Sequence, residues 1–237
     1  MPLPVFYSEK LLADAESPSP SAHKPREIVA SWFELGIPLT LHAPAPVARS
    51  QLALAHAADY VDAVLAGCCD NGFGNRLTNV ARSLPYVAGA VLGAARHVLL
   101  SRGAALAPVG PFHRAGFCSA ADDCTFNAPL ITALALKRVG LIERVGIIDA
   151  SLQPATGSRN ILQRLQQPAW LRYLELSTLG EILAEENFAA LAVKVEQLAD
   201  CDLLLYQACV DSHWLDQAQG WLDENQLRQR DLQVCRT

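Results

Sequence analysis

The sequence predicts a three-layer α/β fold, with a mostly parallel, doubly wound sheet flanked by helices. Three observations carry this. Short apolar runs alternate along the chain with longer helical patterns, the order that parallel strands and crossover helices require. One run, Val145, Gly146, Ile147 and Ile148, is apolar without alternation, as in a strand buried on both faces. It closes on Asp149 and leads into DASLQPATGS, a turn-rich loop placed where open α/β sheets hold their ligands, beyond the carboxyl ends of the strands.

The elements follow in order. Residues 5–7 form a first strand, and the Ser/Pro-rich stretch 13–25 is a loop. A helix starts after Pro25, carries Ile28, Val29, Trp32, Phe33 and Leu35, and stops at Gly36. Residues 37–41 are a second strand, followed by a Pro-rich link. Residues 49–65 make two short helices broken near Ala57, and CCDNGFGNR is a loop. Residues 77–100 are helical, with a break or kink at Pro85. Residues 104–109 are a strand ending in PVGPFHRAGF, and 127–139 a helix feeding the strand at 145. Beyond the central loop come a short helix at 160–166, a strand at 170–176, one or two helices over 181–199, a strand at 202–207 and a polar helix at 222–234.

Length and composition suit one domain over residues 1–237, with 51% apolar residues, enough for a large core. The net charge of -5 and the lack of a Lys/Arg cluster argue against nucleic acid as a partner. No charged segment precedes an apolar stretch at the start, and no apolar run approaches ~20 residues, so neither a signal peptide nor a membrane span is expected. The seven cysteines form no CxxC pair and mostly neighbour apolar residues, which predicts reduced, buried thiols in a cytoplasmic protein and no zinc-thiolate site.

Chemistry gathers in the loops after three of these strands: PVGPFHRAGF, DASLQPATGS and ACVDSHWLD. In a parallel sheet they share one edge, and together they hold His113, Asp149, Asp211 and His213. Here the chain resembles the bacterial branch of the histone deacetylase family, zinc amidohydrolases of the arginase/deacetylase fold. FHRAGF with CTFN at 124–127 is similar to the family's FHHAGY and FCTFN blocks, and IIDASLQPATGS to IxDxDxHxGNGT. CDLLLYQACVDSHWLD is similar to CDxxLYQAGxDxHxxDPLGG, and the helix after it to LTxxQLRxRD. SPSAHKPR, AHAADYVDAVLAG, NGFGNR and SLPY also fit early family blocks in order.

The resemblance implies a zinc held by an Asp and a His of the DxDxH block and an Asp of the LYQAGxD block. Those positions are Ser151, Gln153 and Asp211 here, so one ligand of three survives. It implies catalytic roles for His113 and Asp149 and a substrate pocket at Arg114 and Phe117. The family's water-activating His pair becomes His113 and Arg114, and a guanidinium is no base. The GGF before CTFN becomes Ala121, Asp122 and Asp123, and GNG becomes Ala155, Thr156 and Gly157. The chain stops at Thr237, ahead of the family's last strands and its GGY tyrosine, so the resemblance implies a sheet lacking its last strands.

The residue chemistry stands apart from the resemblance. Catalytic zinc needs about three protein ligands and an open position. A hydroxyl and a neutral amide are poor substitutes, and water without the metal keeps its high pKa. No cofactor is therefore expected, although the family uses Zn. His113 is either a relic base or a buried histidine bonded to a carboxylate. Asp149 is expected to cap loop N–H groups. Asp211 is either a weak cation ligand or a loop-organising carboxylate. Trp214 and Trp221 are either a binding surface or packing under the C-terminus. His23, His42, His56 and His97 show no partner pattern. His113, Ser151, Gln153 and Asp211 are expected around one cavity.

The leading functional expectation is a pseudoenzyme that binds a ligand, such as a small molecule or acyl-amine, or a partner. The alternatives are an active deacetylase-type amidohydrolase acting on lysine or polyamine amides through an altered metal site, and a non-functional remnant. Self-association through the C-terminal sheet edge is also expected.

Overall fold

Among the described residues of this computed structural model, the strands pair in parallel. β1 (Leu3–Phe6) pairs with β2 (Leu39–His42), and β3 (Val145–Asp149) lies between β4 (Leu171–Glu175) and β5 (Leu203–Gln207). Helices flank the strands, so the α/β class and the parallel pairing are as the sequence predicts. The structure describes residues 2–179 and 188–236; part of the helical stretch expected at 181–199 lies outside them. The chain divides into two units, Met1–Leu141 with Thr156–Gln166, and Ile142–Ala155 with Gln167–Thr237.

The first unit holds β1, β2 and the helices α1 (Lys24–Glu34), α2 (Arg49–Leu52), α3 (Ala58–Leu65), α4 (Thr78–Ser101), α5 (Ala128–Arg138) and α6 (Thr156–Arg164). Pro25 sits in the first turn of α1, where its missing N–H costs nothing, and Gly36 follows its end at φ +70°. Phe33 and Leu35 do not join the core face as expected; they are exposed, and Val29 is buried. Asn127 caps α5, its Oδ1 accepting from Leu130 N at 3.2 Å.

The strand expected at 104–109 is absent here, and no break falls at Pro85. Residues 104–109 make a single bridge, Val5 to Leu106, rather than a strand. Pro108 and Pro111 carry no N–H, so the ladder cannot continue. The stretch around Pro85 is one unbroken helix. Burial of Val80, Leu84, Ala88, Leu92 and Ala95 along α4 outweighs one lost backbone bond, and the Pro85 carbonyl accepts from Val47 N at 3.0 Å. Among the described helices α4 has the length and apolar composition to cross a membrane, which the sequence reading did not anticipate; half of its apolar window is buried within the fold.

The second unit is the three-stranded sheet with α7 (Phe188–Glu196) and α8 (Glu224–Cys235). Every residue of β3 is buried, as its unbroken apolar run predicts. Ile148, Ala150, Leu176, Phe188, Leu191, Val195, Leu198 and Val234 form the core cluster. α8 begins two residues later than expected, at a capping box: Asp223 accepts from Gln226 N at 2.8 Å, and Gln226 Oε1 accepts from Asp223 N at 2.9 Å. The cysteines do not all lie in the core as expected: Cys124 is fully buried, Cys69, Cys201 and Cys209 are partly buried, and Cys68, Cys118 and Cys235 are exposed.

Candidate functional site

The register of the second unit's sheet builds the site. Parallel pairing sets Asp149 of β3 opposite Glu175 of β4 and Gln207 of β5, so three polar side chains end one rung after apolar neighbours. Their loops leave from the same edge. The Asp149 carboxylate is 1% exposed and accepts four hydrogen bonds. Ser151 N donates to Oδ1 at 3.0 Å and Ser151 Oγ at 2.6 Å. Gln207 Nε2 donates to Oδ1 at 3.0 Å, and Tyr173 Oη to Oδ2 at 2.6 Å. The cap expected of Asp149 is thus present. Glu175 plays a similar part, accepting from Ala155 N at 2.7 Å and Ser177 Oγ at 2.6 Å.

Ser151 is itself occupied. Its hydroxyl hydrogen goes to Asp149, and its oxygen accepts from Gln207 Nε2 at 2.7 Å. Asp211, in the loop after β5, accepts from Leu152 N with both oxygens, each at 3.0 Å. Ser151 and Asp211 therefore share one loop cluster, while the Gln153 side chain is exposed. Cys209 lies beside this cluster: burial and the Asp211 carboxylate push its thiol up to about 12. Below the Asp211 loop, Ser212 Oγ accepts from Arg230 Nη1 at 2.9 Å. Arg230 is 1% exposed, and its Nε donates to Asp231 at 2.9 Å. Asp231 also accepts from Tyr206 Oη at 2.5 Å. Trp214 and Trp221 are exposed together with Val210 and Leu215, so packing under the C-terminus does not describe them.

In the first unit, His113 is buried, and its carbonyl accepts from Gly157 N at 3.0 Å and Ser158 N at 3.1 Å at the start of α6. A Cβ on Gly157 would lie 2.3 Å from the Arg114 carbonyl carbon, so only glycine fits. That approach explains why α6 starts at Thr156, four residues earlier than expected. Arg114 pairs with Asp122, Nε to Oδ2 at 3.1 Å. The Phe117 ring lies under the Arg164 guanidinium, 4.5 Å from its centre. Asn127 donates to Phe112 O at 3.2 Å and Ser158 Oγ at 2.9 Å, giving the CTFN block a framework role. Asp123, where the resemblance expects Phe, accepts from Ser19 and from Ser21 Oγ, the latter at 2.8 Å, and borders a cavity of about 40 Å³ with Phe73, Phe112 and Phe126.

No family model and no curated protein matches this chain. Among solved structures it is similar to the HDA15 HD domain, a histone deacetylase domain. The TM-score is 0.72 at 16% identity, over 100% of this chain and 89% of that one. The fold is that of the histone deacetylases. A likeness at this identity establishes the fold alone.

The deacetylase fold raises the question of zinc. Three side chains stand at the positions that the sequence resemblance assigns to the metal: a hydroxyl already bonded on both sides, an exposed amide, and a carboxylate spread over a backbone N–H. A tetrahedral zinc wants imidazole, thiolate or carboxylate donors. The residues present do not fit it, and among the described residues no group of three or more His, Cys, Asp or Glu could hold a metal ion. Sequence reasoning missed Tyr173, Gln207, Cys209 and Arg230. The in-line ends of parallel strands would have found Gln207, which closes its strand as Asp149 does.

Proposed function

We propose that this deacetylase-fold protein has left zinc-dependent amide hydrolysis and acts by binding a small molecule, an acyl-amine or a protein partner, in the cytoplasm. The Ser151 hydroxyl, locked between Asp149 and Gln207, carries this reading. Its hydrogen goes to Asp149 and one of its two lone pairs to Gln207, and a neutral hydroxyl is a poor zinc donor beside a carboxylate or an imidazole. Without a bound cation, a water nucleophile keeps a pKa far above neutrality.

The test is zinc that depends on Asp211, measured by calorimetry beside hydrolysis of an acetyl-lysine peptide. Wild type is expected to hold no zinc that Asp211→Asn removes, and to release no acetate. Ser151→Asp with Gln153→His restores three donors with an open position, and should gain Asp211-dependent zinc. Hydrolysis by that variant stays weak, because an arginine occupies the second position of the His pair. Wild-type zinc lost on Asp211→Asn, or zinc-dependent acetate release, would overturn the proposal.

A further inference from the structure

His42 ends β2, and His97 lies in the last turns of α4, both in the first unit and outside the motif blocks. Their ring centres are 5.4 Å apart. Phe6, opposite His42 in the β1–β2 register, stacks on it at 5.1 Å and meets His97 edge-on at 5.9 Å. The slot for Phe6 is made by Gly93, one helical turn before His97. A Cβ there would lie 2.7 Å from the Phe6 ring. A backbone register and a glycine thus hold the two imidazoles beside each other. Both are half-buried, and neither imidazole makes a hydrogen bond among the described residues.

We infer that His42 and His97 form a two-imidazole site for a late divalent transition metal such as Zn²⁺ or Cu²⁺, with water filling the remaining positions. The separation fits. With a metal–nitrogen bond of about 2.0–2.1 Å and the nitrogen about 1.1 Å from its ring centre, each centre lies about 3.2 Å from the ion, and a tetrahedral pair about 5.2 Å apart. The observed 5.4 Å matches that separation. Turning a ring over about its broad χ2 exchanges Nδ1 with a carbon and leaves the stacking on Phe6 in place. Imidazole is the donor these ions prefer among neutral side chains. The inference does not rest on the proposed function, because it uses none of the residues at the ends of β3 and β5.

The experiment is a ZnCl₂ titration of the full chain carrying ¹⁵N-labelled histidine, whose six imidazoles report separately. His42→Gln and His97→Gln assign two of the signals. Those two should move together and saturate at one ion, and each single variant should weaken binding by about tenfold or more, since one imidazole alone does not chelate. Shifts confined to other histidines, no shift up to millimolar zinc, or variants that bind like wild type would overturn the inference and leave three packed rings. Asp211→Asn separates the two sites. Binding that survives it belongs to the His42–His97 pair, whereas binding lost with it refutes both this site and the proposed loss of zinc chemistry.

Discussion

Lowering the pH below 6.5 should destabilise this protein through His56 before its carboxylates titrate. The His56 ring is 1% exposed. Its Nε2 accepts from Asn127 N at 2.9 Å, which leaves the proton on Nδ1, facing the Gly116 carbonyl at 2.8 Å. Both nitrogens are committed to the neutral form, and burial pulls the pKa from 6.5 to about 4. In the unfolded chain the ring takes a proton near 6.5; in the folded chain it does so only near 4. Between those values the unfolded state binds more protons, so stability falls with falling pH. The contribution is complete above pH 6.5. At 1.36 kcal/mol per unit, about 3 kcal/mol is lost by pH 4, about 2 of it already by pH 5. The assay is urea unfolding of wild type and His56→Gln from pH 7.5 to 4.5. Glutamine keeps a donor and an acceptor but does not titrate, so the stability difference between the two should shrink by roughly that amount while carboxylate effects cancel. A His56 imidazole titrating near 6.5 by NMR, with an unchanged difference, would refute the reasoning.

Three further outcomes follow from single contacts. Gly157→Ala drives a Cβ into the Arg114 backbone and should cost about 3 kcal/mol or more by denaturant midpoint; a neutral result would mean that the His113–Gly157 approach is looser than described. Arg230→Met leaves Ser212 and Asp231 without their cation and should cost about 2–3 kcal/mol, a fall of about 4–12 °C in melting temperature by calorimetry. The Cys209 thiol should resist iodoacetamide at pH 8 while Cys68, Cys118 and Cys235 react, as read by mass spectrometry; equal labelling would show that Cys209 is neither buried nor held protonated by Asp211.

The sequence made the class and the central strand legible because burial on both faces leaves an unbroken apolar run, and Val145–Asp149 has one. It made Ser151 and Asp211 legible through motif blocks, and the structure joins their loops through the Leu152 N–H, next to Ser151, which Asp211 accepts. It misplaced the strand at 104–109 because apolar content there speaks for burial, whereas the ladder depends on N–H groups that Pro108 and Pro111 lack. It missed Tyr173 and Gln207 because their role depends on register, a long-range property that no local pattern encodes. His56 showed no partner pattern in sequence because its partners, Gly116 and Asn127, are backbone groups whose identity leaves no side-chain signature.

The end of β3 also shows which groups hold the loop after it. Asp149 and Asp211 place two carboxylates in one loop cluster, and a metal is one way to offset such charge. Dipoles also point at both carboxylates: the Ser151 N–H and O–H, the Gln207 amide and the Tyr173 hydroxyl at Asp149, and the Leu152 N–H at Asp211. Serine suits position 151 because one hydroxyl serves as donor to Asp149 and acceptor from Gln207 at once. An aspartate there would bring a further carboxylate to the cluster and remove a donor, a change that only a bound cation or a proton makes tolerable. The exposed Gln153 side chain supplies neither. Ser151 and Gln207 therefore act as a unit on Asp149, and the repair in the proposed test changes that unit by pairing a carboxylate at 151 with an imidazole at 153.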